Sequence, residues 1–99
     1  MISVKIEKNH VLVKGHAGWA QSGFDIVCSS VSTAVIMTIN QIEIFELIDK
    51  IKFEVKEGYS EIIVVEEDDV INKILLNLTF TLKNLELDYP KYIKIYENL

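Results

Sequence analysis

The chain has 99 residues, of which 49% are hydrophobic and 25% are charged, and it carries a single cysteine. This is the ordinary composition of one globular domain, which we expect to span residues 1–99. A formal net charge of −5 argues against unaided binding to nucleic acid, and one cysteine excludes an intrachain disulfide framework.

The first fifteen residues predict a hairpin. Residues 2–8 alternate apolar and polar side chains, which is the pattern of a half-buried strand, and their early charges are unlike a signal peptide. Asn9-His10 is a plausible turn, and a second strand follows from Val11 and ends at Gly15. No apolar run in the chain approaches the roughly 20 residues that span a bilayer.

Three glycines then mark a loop over residues 15–24. Gly15, Gly18 and Gly23 lower the cost of unusual backbone angles, so we expect the loop to be mobile. It lacks the terminal Lys-Ser/Thr of a phosphate-binding loop, so we do not interpret it as one.

A helix is predicted from about Phe24 to Phe45. The β-branched residues of this segment also favour a strand, but twenty residues without a turn signal are too long for one. Asp25 is a candidate N-cap, and Ser22 is an alternative that would form a capping box with Asp25. The core-facing stripe comprises Val27, Val31, Ala34, Val35, Thr38 and Ile42.

The second half predicts two more strands, a helix and a last strand. Residues 52–56 alternate, residues 57–59 turn, and the apolar run at 60–65 suggests a central strand covered on both faces. Asp68-Asp69 opens the helix, Asp88-Tyr89-Pro90 stops it, and residues 92–96 alternate. Its stripe comprises Ile71, Ile74, Leu75, Leu78, Leu82 and Leu85. The order β-β-α-β-β-α-β predicts an α+β domain, a mainly antiparallel sheet packed by two helices.

The residues that point to chemistry are His16 and Cys28. A thiol becomes a good nucleophile beside a base such as imidazole, and the positive end of a helix also favours the thiolate. Asp25, Cys28 and Ser32 are three and four residues apart and therefore share one face of the helix. Asp25 could hydrogen-bond to His16 and hold its tautomer, or it could only cap the helix. Ser32 could bond near the thiolate or to the carbonyl one turn back. Each residue also has a purely structural alternative. Cys28 could be a buried packing residue, and His16 could be a turn residue that bonds to a local carbonyl.

The stretch from Gly15 to Ser32 resembles the bacterial ribosomal-processing cysteine proteases, the Prp family. The resemblance implies that His16 and Cys28 are the catalytic pair and that the preceding Gly15 acts as a hinge. Trp19 stands where the family commonly has tyrosine, which implies an aromatic that lines a substrate pocket.

The resemblance also implies a cysteine endopeptidase that removes a short N-terminal extension from large-subunit ribosomal protein twenty-seven during ribosome assembly. Cleavage would follow an apolar motif that contains aromatic residues. We expect a cytoplasmic homodimer that needs no cofactor and contacts neither nucleic acid nor membrane. His10, His16 and Cys28 match no zinc motif, so we expect no metal.

Two other functions remain open at this point. One is a non-catalytic ribosome-associated binding module in which the pair is vestigial. The other is a thiol redox sensor based on Cys28, which would need an external thiol because the chain has no resolving cysteine.

Overall fold

The computed structural model describes residues 1–21 and 25–98. Its elements follow the predicted order β-β-α-β-β-α-β, with one short 3-10 turn at Ile48–Lys50. They are β1 (Ile2–Glu7), β2 (His10–Lys14), α1 (Ile26–Ile44), β3 (Ile51–Lys56), β4 (Tyr59–Val64), α2 (Asp69–Asp88) and β5 (Ile93–Asn98).

The five strands form one sheet in the order β3-β4-β2-β1-β5. The pairs β1–β2, β2–β4 and β3–β4 are antiparallel, whereas β5 pairs with β1 in parallel. The predicted α+β class is therefore confirmed, and the sheet is mixed, with antiparallel pairing dominant.

In the part of the chain that the structure describes, the helices cover one face of the sheet. Buried side chains alternate along β1, β2 and β4 and lie side by side across the register, as Val4 does with Val13. The predicted double coverage of β4 is wrong, because Ile63 alternates onto the open face, where it is 36% exposed. The apolar run reflects a strand in the interior of the sheet, not a second covering layer.

Helix α1 supplies much of the core. Asp25 is its N-cap, and Ser22 and Phe24, which entered the predicted boundary, lie outside the described residues. The stripe is confirmed except that Ala34 is only partly buried and Ile39 is buried as well. By length and composition alone α1 could cross a membrane, contrary to the expectation from the apolar runs. Here it packs as a core helix, and core helices pass the same test.

Helix α2 begins after the N-cap Asp68, whose carboxylate accepts from the backbone N–H of Val70 at 2.8 Å. The hydrogen bond from the Lys50 ammonium at 2.9 Å is the main reason that the pKa of Asp68 lies below its ordinary value. The helix ends at Asp88, before Tyr89-Pro90, as predicted. Its stripe buries Ile71, Ile74, Leu78, Thr79 and Leu82, with Leu75 and Leu85 partly buried.

Candidate active site

A cavity of about 650 Å³ lies between the start of α1, residues 15–20 and the tip of the β3–β4 hairpin. Its lining includes the predicted site residues Gly15, His16, Asp25, Cys28 and Ser32. Residues from three separate parts of the chain are thus brought to one place.

Cys28 lies in the first turn of α1 and is partly buried. Its Sγ accepts a hydrogen bond from the backbone N–H of Ala17 at 3.2 Å. The sulfur therefore lies at the N-terminal end of a helix, beside a backbone donor and at the wall of an open cavity.

His16 is exposed and lines the same cavity as Cys28. Its imidazole lies against Gly58, so that a Cβ added to Gly58 would be 2.7 Å from Nε2. Among the described residues no hydrogen bond joins His16 to Cys28. Catalytic hydrogen bonds are often long before substrate binds, so this geometry is compatible with a catalytic pair.

Asp25 is buried and uses both carboxylate oxygens on backbone amides. Oδ1 accepts from Val27 and Cys28, each at 3.0 Å, and Oδ2 accepts from Trp19 at 3.0 Å. Burial alone would raise the pKa of the Asp25 carboxyl, but four backbone N–H donors outweigh it and hold the pKa below its ordinary value. The N-cap prediction is confirmed.

Asp25 also links the loop to the helix, a role that the sequence did not indicate. One oxygen holds the helix end, and the other holds the loop through Trp19. No bond between Asp25 and His16 occurs within the part of the chain that the structure describes. A role as partner of His16 stays a prediction.

Gly15 adopts φ +100°, a conformation that side chains disfavour. A Cβ there would lie 2.5 Å from the backbone oxygen of Met1, and the Gly15 N–H donates to the Gly58 oxygen at 3.0 Å. The position therefore requires glycine for both angle and space. Its action as a hinge stays a prediction.

The two remaining predicted residues are placed differently. Ser32 is exposed and lines the cavity, and the bond to a carbonyl one turn back is made instead by Ser30, whose Oγ donates to Ile26 at 2.7 Å. Trp19 is 42% exposed, and its side chain lies outside the cavity lining. Its backbone N–H donates to Asp25 Oδ2. Binding of substrate by Trp19 stays a prediction.

Two residues of the site were missed from the sequence. Ala17 donates to the sulfur, and Gly58 provides the surface for the His16 ring. The Glu57-Gly58 turn is visible in the sequence, but nothing local to it shows that it faces a histidine 42 positions earlier.

His10 does not join the site. Its Nε2 lies 2.7 Å from Glu61 Oε2 across β2 and β4, and this hydrogen bond is the main cause that lowers the pKa of the Glu61 carboxyl. Over residues 1–21 and 25–98 no cluster of three or more His, Cys, Asp or Glu side chains could hold a metal ion.

Comparison with known proteins identifies the family of this chain. Residues 1–94 match the family model for the cysteine protease Prp, so the chain belongs to the Prp family of cysteine proteases. It is 31% identical to the ribosomal processing cysteine protease Prp of Mycoplasma genitalium, over 98% of this chain and 96% of that protein.

Solved structures share the fold. The essential ribosomal processing protease Prp of S. aureus, bound to a covalently linked product peptide, matches with TM-score 0.83 and 22% identity. The match covers 98% of this chain and 97% of that one. A Streptococcus mutans protein matches with TM-score 0.70 and 22% identity, over 97% and 90% of the two chains.

Proposed function

We propose that this member of the family is an active endopeptidase in which Cys28 is the nucleophile and His16 the general base. The observation that supports this most directly is the position of the single thiol. Its Sγ accepts from the Ala17 N–H at the first turn of α1 and shares a cavity with the His16 imidazole. A packing cysteine would need neither an open cavity nor a histidine that lines the same cavity.

The proposed chemistry is acyl transfer in two steps. His16 takes the thiol proton of Cys28 while Sγ attacks the scissile carbonyl carbon, and the protonated imidazole then gives this proton to the leaving amine. A water molecule, deprotonated by His16, next attacks the thioester. The carboxylic acid product leaves, the proton returns to Sγ, and no cofactor takes part.

We propose as substrate the N-terminal extension of large-subunit ribosomal protein twenty-seven, cleaved after its apolar, aromatic motif in the cytoplasm. The relatives from Mycoplasma genitalium and S. aureus are ribosomal processing proteases, which supports a ribosomal protein as the substrate. A relative also binds a substrate peptide in its crystal structure. The net charge of −5 suits approach to a basic ribosomal protein.

We also propose that the chain forms a homodimer through the outer side of its helices. Large apolar side chains are exposed there, which is typical of a surface that a partner covers. They are Met37, Ile44, Phe45, Leu76, Phe80 and Leu87. Light scattering after gel filtration gives the mass in solution, and a monomer at micromolar concentration would contradict the proposal.

The test of activity uses purified protein and a peptide that spans the extension junction, with products identified by mass. We expect cleavage by the wild type and none by Cys28→Ala or His16→Ala, with melting temperatures close to wild type. Cys28→Ser is the matched control for packing, because its oxygen can still accept from the Ala17 N–H. Activity retained in Cys28→Ala would remove the nucleophile assignment.

The same assay separates the alternatives. A binding module would hold the peptide without cleaving it. A redox sensor would leave it untouched. Instead, hydrogen peroxide would oxidise Cys28 to the sulfenic acid, which would condense with an added thiol to a mixed disulfide with loss of water.

A further inference from the structure

The two edge strands of the sheet are covered unequally. On β5 the residues that face the helices are sheltered, since Ile93 is fully buried and Ile95 is partly buried. On β3 Ile51 is also buried, but the next residues on the same face, Phe53 and Val55, are 48% and 40% exposed. Both face the helix side, because they lie opposite the buried Ile62 and Ser60 of β4. The inner face of β3 is therefore covered at Ile51 and open at Phe53 and Val55.

This open strip continues into the candidate active site. Val55 pairs with Ser60, and Ser60 lines the cavity that holds Cys28. Across the cavity, Ile36 of α1 also lines it and is 45% exposed. On β3, Val55 directly precedes the hairpin residues that line the cavity, and Phe53 lies one strand repeat further from it; we call these two residues the apolar strip.

The backbone beside this strip is also free to pair. Within the described residues β3 pairs with β4 alone, so the other side of residues 51–56 is an unpaired strand edge. Proteins usually protect such an edge, and an extended peptide readily adds to it as a further strand. A strand edge that borders an apolar strip gives a peptide both main-chain hydrogen bonds and side-chain contacts.

We propose that the substrate binds as an added strand beside β3. Its apolar side chains at alternate positions would then lie on Val55 and Phe53. The inference rests on the proposed function, in which cleavage follows an apolar motif, so these residues lie on the N-terminal side of the scissile bond. The residue nearer the bond meets Val55, and the residue two positions earlier, about 7 Å away, meets Phe53. The occupant is a peptide because the strip is continuous with the cavity that holds the thiol.

Binding is measured first in the uncleaving Cys28→Ala protein, by fluorescence anisotropy with a labelled peptide that spans the extension junction. We expect Phe53→Ser to weaken binding about tenfold, the loss that follows from exposing part of an aromatic contact. Tyr96→Ser is the matched control, since Tyr96 is an aromatic on the other edge strand and is 55% exposed. Equal affinities for the two variants would overturn the proposal.

A second peptide, with serine in place of its apolar residues, lacks the side chains that would contact Phe53. The difference between Phe53→Ser and the control should then disappear. In the cleaving protein Phe53→Ser should raise KM with kcat nearly unchanged, while alkylation of Cys28 by iodoacetamide keeps its rate. A fall in kcat alone would contradict a binding role.

N-methylation of single peptide amides tests the strand geometry. In an added strand alternate amides donate to β3, so methylation should weaken binding at every second position. Uniform loss or no loss would refute strand addition. If Phe53→Ser changes only the mass in solution, the strip holds a second copy of the chain and the proposal is wrong. If the wild type cleaves no peptide, the proposed function fails. The comparison of peptide affinity between Phe53→Ser and Tyr96→Ser still tests whether the peptide binds beside β3.

Discussion

The imidazole of His16 lies against the backbone of Gly58, where a Cβ would be 2.7 Å from Nε2. Gly58 follows β3 in the hairpin turn, at φ +70°, and its oxygen accepts from the Gly15 N–H. The turn therefore positions the histidine from one side while Gly15 holds the chain just before it. The placement of the base depends on a glycine in a distant hairpin.

Gly58→Ala should consequently reduce kcat/KM at least about tenfold, because the new methyl group displaces the His16 ring from the cavity. It should also lower the melting temperature, since φ +70° disfavours alanine. The control is the double variant with His16→Ala. Without the ring, Gly58→Ala should cost less stability, and an unchanged cost would show that the ring contact is unimportant.

Gly15→Ala should be more damaging to stability than Gly18→Ala. Both glycines have positive φ, +100° and +72°, but only at Gly15 does a Cβ approach backbone, the Met1 oxygen at 2.5 Å. We expect Gly18→Ala to show the backbone cost alone, about 1 kcal/mol, and Gly15→Ala to exceed it. Thermal melting of the two variants provides the comparison, and similar midpoints would argue against the steric constraint.

Asp25→Asn should lower both stability and turnover. The asparagine oxygen can still cap α1, but its amide nitrogen cannot accept from the Trp19 N–H that Oδ2 now receives. Leaving that N–H unpaired costs about 1–2 kcal/mol and frees the loop that carries His16. Asp68→Asn is the control, because it changes the cap of α2 without touching the loop. A silent Asp25→Asn would show that the Trp19 bond contributes nothing.

The stability that Asp25 contributes should depend on pH. Its pKa is lower in the folded chain than in the unfolded one, so the contribution is complete above about pH 4. It is lost as the pH falls through the lowered folded value. The difference in melting temperature between wild type and Asp25→Asn should therefore narrow below about pH 4. A difference that stays constant or widens toward acid would contradict this assignment.

Local patterns were enough for much of this structure. Asp25 and Asp68 each precede an apolar stripe, so both caps could be predicted from the sequence, as could the helices that they begin. The coverage of the sheet could not, because Ile63 lies in an apolar run whether or not a second layer exists. The contact between His16 and Gly58 has no local signal either, since it depends on how β2 and β4 pair. The Ala17 donor was hidden because any residue can supply a backbone N–H.

The parallel pairing of β1 and β5 bears on how the domain assembles. Ile2 pairs with Ile93, 91 positions later, whereas Glu7 pairs with His10 in the adjacent hairpin. Closing so long a loop costs chain entropy that the hairpin does not require, so the hairpin should form early and β5 should dock late in folding. Once β5 has docked, β1 is paired on both sides. Its amide protons should then exchange with solvent only through global unfolding.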